Sequence, residues 1–164
     1  MLNTSANIRE PGLNVLPPGV ERYIINGGGL TGIQILPDDE IEIINNEGNQ
    51  ICEISVFNKE GKSELAILSL KENKDNSEIK KILLNKDESS LIALRQLKKR
   101  NLDISKSKAS IVFDKDASWG EKVKIKSKDK CYCIFSAPGA EMLIHEQNPP
   151  TDLTIFVKRA KITK

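Results

Sequence analysis

The stretch from Asn26 to Gly32 reads NGGGLTG and sets Gly27, Gly29 and Gly32 at the spacing G-x-G-x-x-G, the literal fingerprint of a dinucleotide-binding loop. That fingerprint works only where a strand ends and a helix opens, so that the helix amides meet a pyrophosphate. Upstream, ERYIIN suits a strand. Downstream, Pro37 falls five residues after Gly32, Asp38-Asp39 reads as a turn, and Glu40-Ile41-Glu42-Ile43 alternates polar and apolar. Proline, turn and period-two alternation leave no room for a helix of about 10 residues. The alternation therefore constrains the chain more than the motif does. The glycine run is read as a hinge between two strands of a β domain, where glycine supplies positive φ and close backbone approach.

The same period recurs along most of the chain. ERYIIN, GIQIL, EIEII and ICEISVF form a series of short strands, with NNEGNQ as the turn between the last two. This pattern predicts a β-meander over Glu21 to Phe57, with Cys52, Ile54 and Val56 on a core face and Glu53 and Ser55 on a solvent face. LAILSL reads as a further strand. ASIVF, EKVKIK, CYCIFSA and TDLTIFVKRA return to the β pattern after Ala109. Between them, residues 71–108 are dense in Lys, Asn and Asp and hold one helix around residues 89–100. Its expected cap is Ser89 or Ser90, its apolar positions are Leu91, Leu94 and Leu97, and Lys98-Lys99-Arg100 lie near its C-terminal dipole. Strands and helix are segregated, so the expected fold is mainly β, an antiparallel sandwich or barrel, and a parallel α/β sheet is disfavoured. Residues 1–20, with Pro11, Pro17 and Pro18, read as an extended leader, and residues 21–164 as a single β domain.

The chain's 25 basic and 23 acidic side chains nearly cancel, leaving a formal charge of +2. No global field favours nucleic acid or a membrane surface. The basic cluster at 98–100 has no aromatic side chain interleaved and reads as a solvated helix end. Three cysteines without disulfide-framework spacing, and no signal-type apolar run, suit a reducing cytoplasm. No run approaches the 18 or so apolar residues that a membrane helix needs.

Few residues offer chemistry. Cys131 and Cys133 form C-x-C on one face of a strand, and with His145 and Glu146 they make a conceivable metal set. Zinc needs about four ligands, His145 is the only histidine, and buried cysteine commonly packs as a small apolar residue, so the core reading is taken. His145 follows PGAEML and precedes the proline-rich EQNPPT. It is either a general base or an ordinary loop histidine, and no nucleophile motif surrounds it. Trp119, the one tryptophan, is a lid over the core or a ligand-stacking surface. Asp38-Asp39-Glu40 is turn chemistry before it is a metal site.

Two segments resemble a known family. GGGLTGIQILPDDEIEIINNEGNQICEISVFN is similar to the opening of the urea carboxylase-associated domain family, and CYCIFSAPGAEMLIHEQNPPTDLTIFVKR is similar to its close. Gly48, Asn49 and Gln50 match the family turn, Glu53 stands where an Asp is usual, and Asn58 fits the strand end. Ser136, Ala137, Pro138, Asn148, Pro149, Thr151 and Leu153 fit the closing motif. The family's central His-Asp and glycine-cysteine stretch has no counterpart, and its cysteine between Ala and Pro is missing at Ala137-Pro138, so no metal chemistry is expected of this chain.

Members of that family accompany enzymes that degrade urea and guanidine-type compounds. Similar domains look to be fused in front of aminomethyltransferases of the glycine-cleavage T-protein type, which use tetrahydrofolate. The resemblance implies an accessory or ligand-binding domain of a C1- or amine-metabolising enzyme, the amino-terminal part of such an aminomethyltransferase, with tetrahydrofolate entering only through that partner. Gly28, Gly29, Asn58, Trp119 and Glu146 are the expected ligand contacts. The alternative is a stand-alone hydrolase of a carboxylated urea or guanidine compound, with Glu53 and His145 as acid and base. Exposed edge strands also make a homodimer easy.

Overall fold

The structure, a computed structural model, describes residues 16–75, 77–113, 115–139 and 149–161. Its strands are β1 (Val20–Ile25), β2 (Leu30–Ile35), β3 (Glu40–Asn45), β4 (Cys52–Phe57), β5 (Lys74–Asp75), β6 (Lys108–Val112), β7 (Lys122–Lys126), β8 (Cys131–Ser136) and β9 (Leu153–Lys158). A first sheet has the order β1-β9-β3-β7 and a second the order β2-β8-β4-β6-β5. Every neighbouring pair is antiparallel. The two sheets face each other over one apolar layer in which Ile35, Ile43, Ile54, Phe135, Leu153 and Ile155 are fully buried. Burial of each such side chain contributes about 1.5–3 kcal/mol. The expected antiparallel β sandwich is what the chain forms.

The expected β-meander is corrected. β1 and β3 lie in the first sheet, β2 and β4 in the second, so each connection crosses between layers and does not reverse in plane. Alternation identifies strands and their faces but carries no information on which strand is the neighbour. LAILSL is corrected as well: Leu65–Leu68 is a 3-10 turn that ends at Ser69 with φ 57°, and Leu65, Ile67 and Leu68 plug the sandwich edge. A short apolar run does not distinguish a strand from a buried turn.

Two helices cover the outer face of the second sheet: α1 (Ser77–Leu84) and α2 (Glu88–Lys99). α1 was not expected, because only Ile79, Ile82 and Leu83 mark its buried side within a lysine-rich segment. The cap of α2 is Asp87, whose carboxylate accepts from Ser90 N at 2.8 Å, in place of Ser89 or Ser90. The buried side of α2 is Ser90, Ala93 and Leu97, and Ser90 Oγ donates to the Ile82 carbonyl at 2.6 Å. Leu91 and Leu94 point outward. The face of β4 expected to meet solvent is buried, with Phe57 packed against both helices: all six residues of β4 and of β8 are buried, Glu53 and Ser55 included.

One end of the sandwich is fastened by Arg159, just past β9. Its Nε and Nη2 donate to the two Glu21 carboxylate oxygens at 2.7 and 2.9 Å, while Nη1 reaches Asp39 Oδ2 at 2.7 Å and the Gln34 carbonyl at 2.8 Å. Asp39, 1% exposed, also accepts from the amides of Leu36 and Ala160 at 2.9 Å. The acidic run at 38–40 therefore works as a turn, with Asp38 at φ 68°. The Arg159 guanidinium holds the Glu21 carboxyl below its ordinary value, helped by the Tyr23 hydroxyl and opposed by burial. A depressed folded value means that this stabilisation is present above the free carboxylate value, about pH 4.3, and is lost as pH falls below it. Arg159→Ala leaves Asp39 buried without its cation and is expected to lower stability by about 3 kcal/mol in urea unfolding at neutral pH. Glu21→Gln is expected to flatten the acid limb of the stability profile measured the same way.

Candidate functional site

The end of the sandwich opposite Arg159 collects the glycine run, the turn after β3, and the segments on either side of residues 140–148. Its centre is the buried Gln50 amide. Nε2 donates to the carbonyls of Ile51 and Pro138 at 2.8 Å, and Oε1 accepts from Thr151 N at 2.9 Å. The Gln50 carbonyl accepts from Asn45 Nδ2 at 2.6 Å. Gly48 permits this turn, with φ 78° and an approach so close that a Cβ would stand 2.8 Å from the Ala117 carbonyl oxygen.

The glycine run is held against the same brace. Gly27 N donates to Asp152 Oδ1 at 2.9 Å, Gly28 N to the Ala137 carbonyl at 2.7 Å, and Gly29 N to the Asn26 carbonyl at 2.8 Å. All three amides that a phosphate would use are occupied by the protein. A Cβ on Gly27 would overlap the Pro150 carbonyl, and one on Gly32 would overlap the Tyr132 hydroxyl. These glycines are required by packing, and the hinge between β1 and β2 is their structural role. Gly28 and Gly29 do border an open crevice of about 390 Å³, with Asp87, Glu88, Ser89 and Ile92 on the far wall.

Glu53 lies in the middle of the second sheet on its helix-covered face, in a row with Leu30, Ser136 and Ile111, and is 0% exposed. The Glu53 carbonyl accepts from Ser136 Oγ at 3.2 Å. Asn58 follows the other end of β4, five residues on, or roughly 17 Å at about 3.3 Å per residue. Its Oδ1 accepts from the amides of Glu60 and Lys62 at 3.0 and 2.9 Å, and its Nδ2 donates to Glu64. Asn58 thus shapes its own loop. Trp119 is 81% exposed on the turn before β7. His145 and Glu146 lie outside the described residues. Among the described candidates, Glu53, Asn58 and Trp119 do not converge.

Cys131 and Cys133 point into the layer between the sheets with their Sγ atoms 3.5 Å apart, both buried. Burial pushes the Cys133 thiol up, whereas the Cys133 S–H and the Ser127 hydroxyl lower that of Cys131 against the pull of burial. Burial also raises the Cys52 thiol. Among the described residues no group of three or more His, Cys, Asp or Glu side chains is placed to hold a metal ion. Among them, too, no helix is long and apolar enough to cross a membrane.

Two proteins resemble the chain. The chain is 32% identical over 154 residues, 93% of its length, to a trimethylamine-oxide aldolase of Ruegeria pomeroyi, of which it spans only 19%. In three dimensions it superposes on the crystal structure of a DUF1989 family protein from Silicibacter pomeroyi with a TM-score of 0.53 and 9% identity, over 96% of this chain and 90% of that one. The DUF1989 protein shares its fold. The chain matches no protein-family model. These findings correct the expectation of an aminomethyltransferase of the glycine-cleavage T-protein type: the enzyme to which the chain is similar is a trimethylamine-oxide aldolase.

Sequence spacing does not reveal the Gln50 brace as a unit, because its parts lie on three separate segments. Gln50, Pro138 and Thr151 are joined through one side-chain amide, with Gly48 shaping its turn and Ala137 holding the glycine run. Gln50→Leu leaves the Thr151 amide and the Pro138 carbonyl buried without partners. It is expected to cost about 2 kcal/mol, read as a lower thermal midpoint. Gly32→Ala is expected to destabilise by a similar amount, about 1–3 kcal/mol for overpacking, with partial recovery in the double variant with Tyr132→Leu.

Proposed function

We infer that this chain is an accessory domain of an enzyme that processes a methylated amine oxide by an aldolase-type reaction, with the reacting groups carried by other parts of the enzyme. The observation that carries this reading is the sequence identity with trimethylamine-oxide aldolase, which runs through nearly the whole chain yet meets only about a fifth of that enzyme. The geometry favours an accessory role. An acid–base centre needs its groups within about 3 Å of one substrate, whereas among the described candidates Glu53 is fully buried in the middle of its sheet, Asn58 caps a loop at the far end of the same strand, and the cysteines are absorbed in the core. Gly48, Gln50, Ala137, Pro138 and Thr151, on which the resemblance to urea carboxylase-associated domains partly rests, serve the brace, so that resemblance is proposed to reflect common descent of a scaffold.

The isolated chain is expected to leave trimethylamine oxide unconsumed, followed through its methyl proton signal. A chimera in which the chain replaces the matched fifth of the Ruegeria pomeroyi enzyme is expected to consume it. Turnover by the isolated chain would make it a catalyst in its own right, and an inert chimera would also count against the reading.

A further inference from the structure

Helix α2 carries more apolar surface than the second sheet uses. Ala93 and Leu97 face inward, while Leu91, Ile92 and Leu94 are 42%, 50% and 39% exposed, and Leu84 at the end of α1 is 76% exposed. Scattered apolar side chains on a surface are ordinary, but a helix apolar on more than its buried stripe is a helix meant to be covered. At 3.6 residues per turn Leu91, Leu94 and Lys98 share one stripe, and Ile92 falls on the opposite flank. There it borders a groove of about 180 Å³ together with the exposed Ile24. Arg95, Lys98, Lys99 and Arg100 form a basic rim at the C-terminal end of the helix.

We propose that the outer surface of α1 and α2, centred on Leu91 and Leu94, is where the rest of an amine-oxide aldolase packs against this domain. The proposal rests on the accessory-domain reading above. The occupant follows from chain length: the matched relative has about four-fifths of its sequence outside the matched part, and a body of that size needs a face to rest on. The outer face of the first sheet is the poorer candidate. It holds a crevice of about 480 Å³ beside Phe156, but Glu40 and Glu42 there stand opposite Lys126 and Lys124 on the neighbouring strand, a pattern suited to water. The helical surface has the apolar centre and charged rim of an interface, and its basic rim calls for an acidic margin on the partner.

The test labels exposed side chains with hydroxyl radicals in the isolated chain and in the chimera. Leu91, Leu94 and Leu84 are expected to react several-fold more slowly in the chimera. The pair Leu91→Glu and Leu94→Glu is expected to leave unfolding of the isolated chain unchanged and to reduce turnover by the chimera. Equal labelling in an active chimera would overturn the docking surface and leave the accessory reading standing. An inert chimera would overturn that reading; the same labelling on the intact Ruegeria pomeroyi enzyme then decides the surface, where fast reaction at the positions aligned with Leu91 and Leu94 sinks it. An isolated chain that dimerises by light scattering, and is returned to monomer by the same two substitutions, would name a second copy as the occupant instead.

Discussion

The side-chain amide of Gln50 is the contact on which one whole end of this protein depends. Three chain segments far apart in sequence meet there: the turn after β3, the residues following β8 and those preceding β9. Each brings a backbone group that has left its ladder and is shielded from water, and a buried unpaired group of that kind costs as much as a good hydrogen bond contributes. A primary amide both donates and accepts, so it satisfies the Pro138 carbonyl and the Thr151 amide together; a carboxylate or an amine of the same length would satisfy only one kind. The glycine run is then held on the outside of this joint through Ala137 and Asp152.

Much of the fold was legible because strands announce themselves by period two. β1, β2, β3, β4, β6, β7, β8 and β9 fall where the sequence pattern places strands. What the alternation does not encode is neighbourhood, so β1 to β4 read as a meander although their connections cross between layers. Nor does it reveal a covering layer. Glu53 and Ser55 carry polar labels that predict solvent, yet both are fully buried on a face where Phe57 and Ile134 pack against α1 and α2. The helix misreading has the same origin. Leu91, Leu94 and Leu97 look like one apolar stripe, but the sheet takes the Ser90, Ala93 and Leu97 side.

The candidate site was less legible than the fold. A motif records residue types, whereas binding requires free hydrogen-bonding groups; the glycine amides are already engaged within the protein. The C-x-C pair shares a face as its spacing implies, and that face is the core. Gly48, Gln50, Ala137, Pro138 and Thr151 are joined by structural need, whereas the described polar candidates Glu53, Asn58 and Trp119 lie apart.

The position of β9 has a consequence for how the chain comes into being. It is an inner strand of the first sheet, hydrogen-bonded on one side to β1 and on the other to β3, yet it comes last in sequence among the described strands. As the chain is synthesised, β1 and the β9-facing side of β3 emerge early and wait with their ladder groups unpaired until Lys158 has followed. Pairings between such distant segments form slowly and leave strand edges open to wrong partners in the meantime. The second sheet, whose inner strands β8, β4 and β6 are complete sooner, is therefore the half able to assemble first. The first sheet closes over it as a late event in the history of each molecule.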